Sequence, residues 1–187
     1  MLKRAFDLSL CMFSICIFSF LIILIALFIR LTSKGSALYW SERVGRNNRI
    51  FKMPKFRTMK INTPELASHK LTNPENFLSP IGDFLRRNSL DELPQLFSIF
   101  KGDMSFVGPR PALYNQEDLI ELRTKNNVHI LLPGLTGWAQ VNGRDELSIP
   151  DKVDMDKYYL DHHSIRLDIK ILYLTMFKVI KADDVTR

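Results

Sequence analysis

The sequence predicts an α+β fold that is predominantly helical, with a membrane helix at its N-terminus. Residues 8–29 carry no charge, the stretch 37–53 has the pattern of a small β-hairpin, and five later segments have the periodicity and boundaries of helices. The chain has 187 residues, which is about the length of one domain. We therefore expect a membrane-embedded helix in residues 1–30 and a second domain in residues 31–187.

The uncharged run 8–29 is long enough to cross a membrane. Its 22 residues would reach about 33 Å as a helix, against about 30 Å for the hydrocarbon core of a bilayer. A cleaved signal peptide has a shorter apolar region followed by a small-residue cleavage site, so we predict a permanent anchor. The two cysteines, Cys11 and Cys16, both lie in this run. A disulfide framework is therefore not expected, and a reducing compartment fits.

The topology of this helix stays open between two alternatives. Basic residues flank both ends of the run, whereas the positive-inside rule places them on the cytoplasmic side of a span. A re-entrant helix, which enters and leaves by the same face, would satisfy both flanks, and a straight span is the alternative. Ser14 and Ser19 would favour a bend by bonding back to helix carbonyls. In either case the residues after Arg30 are expected on the cytoplasmic face.

The rest of the chain contains a hairpin and several helices. Residues 37–40 and 50–53 are the predicted strands, and Pro54 argues against a long central strand there. Residues 60–80 are predicted to form a surface loop, because they contain three prolines. Helices are predicted over 81–87, 93–100, 115–126, 154–160 and 167–181. The last of these is amphipathic, so it either faces the core or lies on the membrane surface as an interfacial helix.

The net charge of +6 suits a phosphate-rich partner. Nucleic acid, an anionic membrane surface and a nucleotide-activated metabolite all qualify. The sequence contains no recognised nucleic-acid-binding motif, and the uncharged run places the protein at a membrane, so no nucleic-acid partner is expected. The four histidines lack the spacing of metal ligands.

The stretch 89–111 is the most informative part of the chain. Ser89-Leu90-Asp91-Glu92 fits a helix-capping box, and Asp91 equally fits an N-cap with Pro94 in the first turn. Taken alone, these local patterns favour capping over catalysis. A helix N-terminus also attracts phosphate, however, so a reactive carboxylate pair is compatible with a cap.

Arginines close to this pair would serve a phosphate site. Arg86 and Arg87 precede it, and Arg110 follows it between Pro109 and Pro111. The two prolines fix the backbone around Arg110, whose planar guanidinium suits bidentate binding of phosphate. The glycine-containing run 133–144 predicts a tight loop that ends in Arg144. That arginine is either a second phosphate contact or part of a packing loop.

Several ordered motifs resemble the bacterial sugar transferase family, the monotopic polyprenol-phosphate phosphoglycosyl transferases, in its small form with only the catalytic domain. They are the stretch 89–111, the run 133–144 and Lys55-Phe56-Arg57-Thr58-Met59. The resemblance extends from the Lys3-Arg4-x-Phe6-Asp7 start to about Lys181. Two positions depart from the family pattern. Phe20 replaces a proline that breaks the membrane helix, and Ser41 replaces the glutamine of a Gln-x-Arg-x-Gly motif in Ser41-Glu42-Arg43-Val44-Gly45.

The resemblance implies a role for each site residue. Asp91 would be the nucleophile that displaces a nucleoside monophosphate and carries the phosphosugar as a covalent intermediate. Glu92, beside Asp91, would help to hold Mg²⁺, which prefers oxygen ligands. The remaining residues expected to bind phosphate or substrate are Arg86, Arg110, Pro111, Arg144, Lys55, Arg57 and Thr58.

The resemblance also implies the partners. They are a UDP-sugar donor, undecaprenyl phosphate as acceptor, and the lipids of the bacterial inner membrane, with the catalytic domain on its cytoplasmic face. The reaction would begin the synthesis of a surface glycan, such as O-antigen, capsule, exopolysaccharide or a glycoprotein glycan. A homo-oligomer is compatible with the sequence. The alternative function is a catalytically inactive membrane adapter of a glycan assembly complex.

Overall fold

A computed structural model describes residues 2–33, 35–61, 63, 77–143 and 146–181. The predicted class, α+β and predominantly helical, is confirmed. The helices in the described residues are α1 Leu2–Thr32, α2 Gly82–Arg87, α3 Leu96–Lys101, α4 Glu117–Lys125, α5 Trp138–Val141, α6 Ile149–His162 and α7 Ile165–Lys181. The strands are β1 Leu38–Val44, β2 Ile50–Phe56, β3 Ser105–Val107, β4 Ala112–Leu113 and β5 Gly134–Thr136.

The predicted hairpin is confirmed and is longer than expected. β1 and β2 pair antiparallel from Leu38↔Phe56 to Val44↔Ile50, and a short 3₁₀ turn, Arg46–Asn48, joins them. β4 pairs with the other side of β1, so β1 is central and β2 is an edge strand of this sheet. An edge strand tolerates Pro54, which lacks the N–H that a central strand would need.

The two glycine-containing motifs meet in a second, parallel sheet. β3 pairs with β5 through Ser105↔Gly134 and Val107↔Thr136. The pairing continues past β3, because Gly108 donates from its N–H to the Thr136 carbonyl over 2.9 Å. A Cβ at Gly108 would collide with the Leu132 carbonyl oxygen, so this close approach requires glycine. The described part of the run 133–144 therefore packs against the loop that carries Arg110.

The later helices lie where the sequence predicted them, with some shifts at their ends. α6 begins earlier than expected, at Ile149, because the Ser148 hydroxyl accepts a hydrogen bond from the Asp151 N–H and Pro150 occupies the first turn. The predicted helix at 93–100 divides into a 3₁₀ helix, Leu90–Gln95, and α3. Most of the predicted surface loop at 60–80 lies outside the described residues.

Helix α1 is continuous over 31 residues and is long and apolar enough to cross a membrane by length and composition. Much of its apolar surface is exposed, including Phe13, Phe20 and Ile23. The Ser19 hydroxyl donates to the Cys16 carbonyl over 3.1 Å, which is the back-bonding that the sequence predicted at this position. Whether the helix is re-entrant or spans the bilayer stays a prediction.

The basic start of α1 is engaged by the rest of the protein. Arg4 donates from Nη1 to the Ile99 carbonyl over 2.6 Å and from Nη2 to the Phe100 carbonyl over 2.8 Å. These carbonyls belong to the last turn of α3, where a cation is favourable. Lys3 forms a 2.8 Å ion pair with the buried Asp168 of α7. The N-terminal end of α1 is thus held by α3 and α7.

Both ends of α1 contact the same domain. Near its start, the buried Asp7 accepts hydrogen bonds from the Ser105 hydroxyl over 2.9 Å and from the Phe106 N–H over 3.2 Å. Near its end, the buried Ile25 and Ile29 belong to a cluster with Phe56 and Leu85. Between these two contact regions the helix turns mainly outward, with Met12, Phe13, Ile17 and Phe20 exposed.

Helix α7 has an apolar exposed face as well as a buried one. Ile171 is fully buried in the core, and Asp168 accepts a 2.6 Å hydrogen bond from the Tyr159 hydroxyl. Large apolar side chains are exposed elsewhere on the same helix, namely Ile169, Tyr173, Met176 and Phe177. The two interpretations of this segment, a core-facing helix and an interfacial helix, are therefore compatible.

The burial of Asp7 makes a prediction about stability. Asp7→Ala leaves the Ser105 hydroxyl and the Phe106 N–H buried without their acceptor, and each such loss costs about 1–3 kcal/mol. We expect a clear fall in the midpoint of thermal unfolding, measured by circular dichroism in detergent micelles. Asp83→Ala is the control, because the exposed Asp83–Arg87 pair is worth at most about 1 kcal/mol. Equal midpoints for the two variants would contradict the role given to Asp7.

Candidate active site

The two adjacent carboxylates lie in the 3₁₀ helix Leu90–Gln95 and point into the protein. Asp91 is 8% exposed. The predicted capping box is wrong, since Ser89 adopts the left-handed conformation with φ of 53° and its side chain makes no capping hydrogen bond. An N-cap needs an extended backbone, which this conformation excludes. Asp91 is not a cap either, because it lies inside the helix.

Glu92 is held by two cations that come from distant parts of the chain. Its Oε1 atom lies 2.8 Å from Nζ of Lys55 and 3.2 Å from Nη2 of Arg110. Lys55 is on the edge strand β2, and its Nζ also lies 3.9 Å from Oδ2 of Asp91. The competing ion pairs explain why Glu92 does not reach back to cap the helix. The structure thus brings together four of the predicted residues, Asp91, Glu92, Lys55 and Arg110.

Arg86 reaches the same site from α2. Its Nε atom donates to the hydroxyl of the buried Thr58 over 3.0 Å, so Thr58, another predicted residue, orients this arginine. Burial lowers the pKa of Arg86, and the charge of Asp91 opposes that change. The neighbouring Arg87 is exposed and pairs with Asp83 over 2.7 Å. Of the two adjacent arginines, only Arg86 is therefore directed towards the carboxylates.

Burial is the main influence on the ionisation of Asp91. It raises the pKa of this carboxyl above its ordinary value, because the charged form loses solvation. Lys55 lowers the pKa, Glu92 raises it, and Arg86 and Arg110 lower it. The cations thus favour the carboxylate form of Asp91, against the effect of burial.

Arg43 is a site residue that the sequence reasoning did not select. Burial and the neighbouring charge of Arg110 lower the pKa of Arg43 to about 10, while Glu92 raises it. Its Nη1 donates to the Pro111 carbonyl over 3.2 Å and its Nε to the Ser41 hydroxyl over 3.0 Å. The only signal in the sequence was the motif at 41–45, in which this arginine matches the family pattern.

Pro111 contributes through its backbone. The residue is buried and its carbonyl receives the hydrogen bond from Arg43, so it does not offer a side chain for phosphate binding. The sequence grouped it with the binding residues, and the structure places it in the loop that carries Arg110. The side chain of Arg110 is 37% exposed, which leaves it accessible to an incoming anion.

The remaining predicted residues are placed elsewhere or not described. The Arg57 guanidinium lies against Gly35, after the end of α1, where a pocket of about 400 Å³ is lined by Arg30, Leu31, Thr32, Ser33 and Gly35. That pocket does not include the carboxylate pair. Arg144 lies outside the described residues.

The carboxylate pair is suitable for a metal ion that is bound partly by substrate. No group of three or more His, Cys, Asp or Glu side chains that could hold a metal ion occurs among the described residues. Mg²⁺ commonly uses only one or two carboxylates, together with water and substrate phosphates. Asp91 and Glu92 supply hard oxygen ligands of that kind, so the chemistry of the pair fits Mg²⁺ accompanied by a diphosphate.

Comparison with known proteins identifies close relatives. A family model described as Bacterial sugar transferase matches residues 1–182. The chain is 39% identical to a Bacillus subtilis (strain 168) protein named uncharacterized sugar transferase EpsL, with 98% of this chain and 90% of the relative aligned. It is 40% identical to the undecaprenyl-phosphate glucose phosphotransferase of Komagataeibacter xylinus, over 93% of this chain and 35% of the relative.

A third relative has the same relation to this chain. The UDP-glucose:undecaprenyl-phosphate glucose-1-phosphate transferase of Escherichia coli (strain K12) is 38% identical over 95% of this chain and 40% of its own length. The chain thus spans nearly all of the first relative, and well under half of the other two. Both the match over residues 1–182 and these identities agree with the resemblance seen in the motifs, and the chain belongs to the bacterial sugar transferase family.

Proposed function

We propose that this chain moves a sugar 1-phosphate from a UDP-sugar to undecaprenyl phosphate and releases UMP, as the initiating step of surface glycan synthesis. The observation that carries the proposal is the buried Asp91, placed beside Glu92 under Lys55, Arg86 and Arg110. The names of two relatives, which describe undecaprenyl-phosphate glucose transfer, support the substrate class.

The charges around the pair suit a diphosphate. Four cations, Lys55, Arg43, Arg86 and Arg110, surround two carboxylates. The excess of positive charge is partly buried, where an anion gains more than it would in water. A diphosphate donor supplies the negative charge that would balance this excess. The planar guanidinium groups also match the geometry of its oxygens.

In the proposed first step, a carboxylate oxygen of Asp91 forms a bond to the phosphorus that bears the sugar. The bond from that phosphorus to the bridging oxygen breaks, and UMP leaves with this oxygen and its electron pair. Arg110 and Arg86 are placed to hold phosphate oxygens as negative charge moves towards UMP. A covalent intermediate divides one difficult displacement into two easier ones.

In the second step, an oxygen of the lipid phosphate forms a bond to the same phosphorus. The bond to Asp91 breaks, and the aspartate leaves as a carboxylate, which regenerates the enzyme. Lys55, 3.9 Å from Asp91, favours that charged product. Mg²⁺, when bound at Asp91 and Glu92, would offset charge on the diphosphate.

The proposed acceptor is a lipid, and exposed apolar side chains close to the carboxylates support this. Exposed Phe97 and Phe100 lie on α3, which directly follows the helix that carries Asp91. Both ends of α1 contact this same domain. That arrangement supports a helix that enters and leaves the membrane by one face, with the domain on the cytoplasmic side of the bacterial inner membrane.

An inactive membrane adapter is not favoured. An adapter needs an exposed docking surface, but it does not need a buried and a partly buried carboxylate with cations from β2, α2 and the loop before β4. Keeping such charges out of water costs free energy unless they are fully paired. An adapter would gain nothing in return for that cost. The arrangement is therefore better explained by catalysis.

The proposal predicts a loss of UMP release when Asp91 is changed. Purified protein with undecaprenyl phosphate, Mg²⁺ and a panel of UDP-sugars that includes UDP-glucose should release UMP in a coupled assay. Asp91→Asn removes the nucleophile with little change in shape, and we expect the rate to fall about a thousandfold or more. Asp83→Asn, on the exposed side of α2, is the matched control. Full activity of Asp91→Asn would sink the covalent mechanism.

The raised pKa of Asp91 predicts a pH dependence. Attack needs the carboxylate form, so the rate falls as the pH drops through a pKa that lies above the ordinary range for aspartate. Lys55 lowers this pKa, and Lys55→Met should therefore move the acid limb to higher pH. The measurement is the single-turnover rate of UMP release against pH, without lipid. Lys55→Arg keeps the charge and should move the limb less, whereas an unmoved limb in Lys55→Met would count against the assignment.

A further inference from the structure

The loop Pro109-Arg110-Pro111 is held by its three consecutive carbonyls. The Pro109 carbonyl accepts from the Gly134 N–H over 2.9 Å, the Arg110 carbonyl from Nη1 of Arg123 over 2.8 Å, and the Pro111 carbonyl from Nη1 of Arg43 over 3.2 Å. The two prolines have no N–H of their own. The loop therefore depends on these external donors for its conformation.

Of the two arginines that donate to this loop, Arg123 is the one held by a buried ion pair. It lies on α4, and its Nε and Nη2 atoms both donate to Oδ2 of Asp156 on α6, over 3.0 and 2.7 Å. Asp156 is 1% exposed and the Arg123 side chain 12%. A buried pair of this kind is costly to break, because removing one partner leaves the other charge uncompensated. The remaining guanidinium nitrogen of Arg123, Nη1, donates to the Arg110 carbonyl.

We propose that Arg123, fixed by Asp156, is a positioning residue that aims Arg110 at the phosphate of the donor. Neither Arg123 nor Asp156 has a described contact with Asp91 or Glu92, so they act through the backbone of the loop. The guanidinium of Arg110 lies 3.2 Å from Glu92. The backbone carbonyl of the same residue accepts the hydrogen bond from Arg123. This inference rests on the proposed function, since it needs Arg110 to bind the donor.

The test is a double-mutant cycle with the full-length protein. Arg123→Lys keeps the charge but lacks the planar fork that reaches Asp156 and Arg110 together. We expect it to lower kcat/KM for UMP release by about 10- to 100-fold, as misplacement of a positioning group does. If Arg110→Ala lowers kcat, then Arg123→Lys should also lower kcat. If Arg110→Ala instead raises KM, then Arg123→Lys should also raise KM. In the Arg110→Ala background, Arg123→Lys should change the rate by less than about twofold.

Asp168→Asn is the matched control. Asp168 is as buried as Asp156 and is also paired with a cation, Lys3, but its described contacts do not include the loop 109–111. Its effect should be the same in the wild-type and Arg110→Ala backgrounds. Thermal unfolding checks that each variant is folded, and Asp156→Glu replaces Arg123→Lys in the cycle if the latter is not.

The outcomes separate the two proposals. An active wild type in which Arg123→Lys and Arg110→Ala have independent, multiplicative effects overturns the positioning role and leaves the proposed function standing. A wild type that releases no UMP from any UDP-sugar overturns the proposed function and the inference with it. Coupling of Arg123 to Arg110, without coupling of Asp168, is the result that the structure predicts.

Discussion

The carboxylate pair, the buried Asp91 and the partly buried Glu92, is the constraint on which the rest of this structure depends. Ionised carboxylates are costly to remove from water unless cations and hydrogen-bond donors surround them. Here the cations come from separate elements: Lys55 from β2, Arg86 from α2, and Arg110 from the loop before β4. The hairpin, the short helix and the loop must therefore converge on one point. The same convergence that compensates the carboxylates also produces an anion site with an accessible arginine.

The apolar helix α1 and the candidate site share one structural element. α3 follows the helix that carries Asp91, and its last carbonyls hold Arg4 of α1. Cys11 of α1 contacts the start of α3 by donating to the Leu96 carbonyl over 3.3 Å. The basic residues at the start of α1 thus make contacts within the protein. Their position in the sequence therefore does not have to reflect the topology of the helix in a membrane. A lipid phosphate at the membrane surface would meet the catalytic domain close to α3.

The sequence predicted what depends on local pattern. The hairpin follows from alternation around a polar turn, and the later helices follow from apolar periodicity. The carboxylates and the arginines at positions 86 and 110 were found because motif residues cluster in sequence. The capping box at Ser89 was wrong, since a local pattern cannot account for Lys55 and Arg110 drawing Glu92 away from the helix end. Arg43 and Arg123 were missed because their partners lie 68 and 33 residues away, and only the fold brings them together.

The central claim is that Asp91 carries the phosphosugar between donor and lipid. The most direct measurement is intact-protein mass spectrometry after incubation with a UDP-sugar and Mg²⁺ in the absence of lipid phosphate. A mass increase equal to the phosphosugar should appear, map to the peptide that contains Asp91, disappear on addition of undecaprenyl phosphate, and be absent from Asp91→Asn. Transfer of the phosphosugar to the lipid at the full rate with no such adduct, or an adduct that persists in Asp91→Asn, would contradict the account.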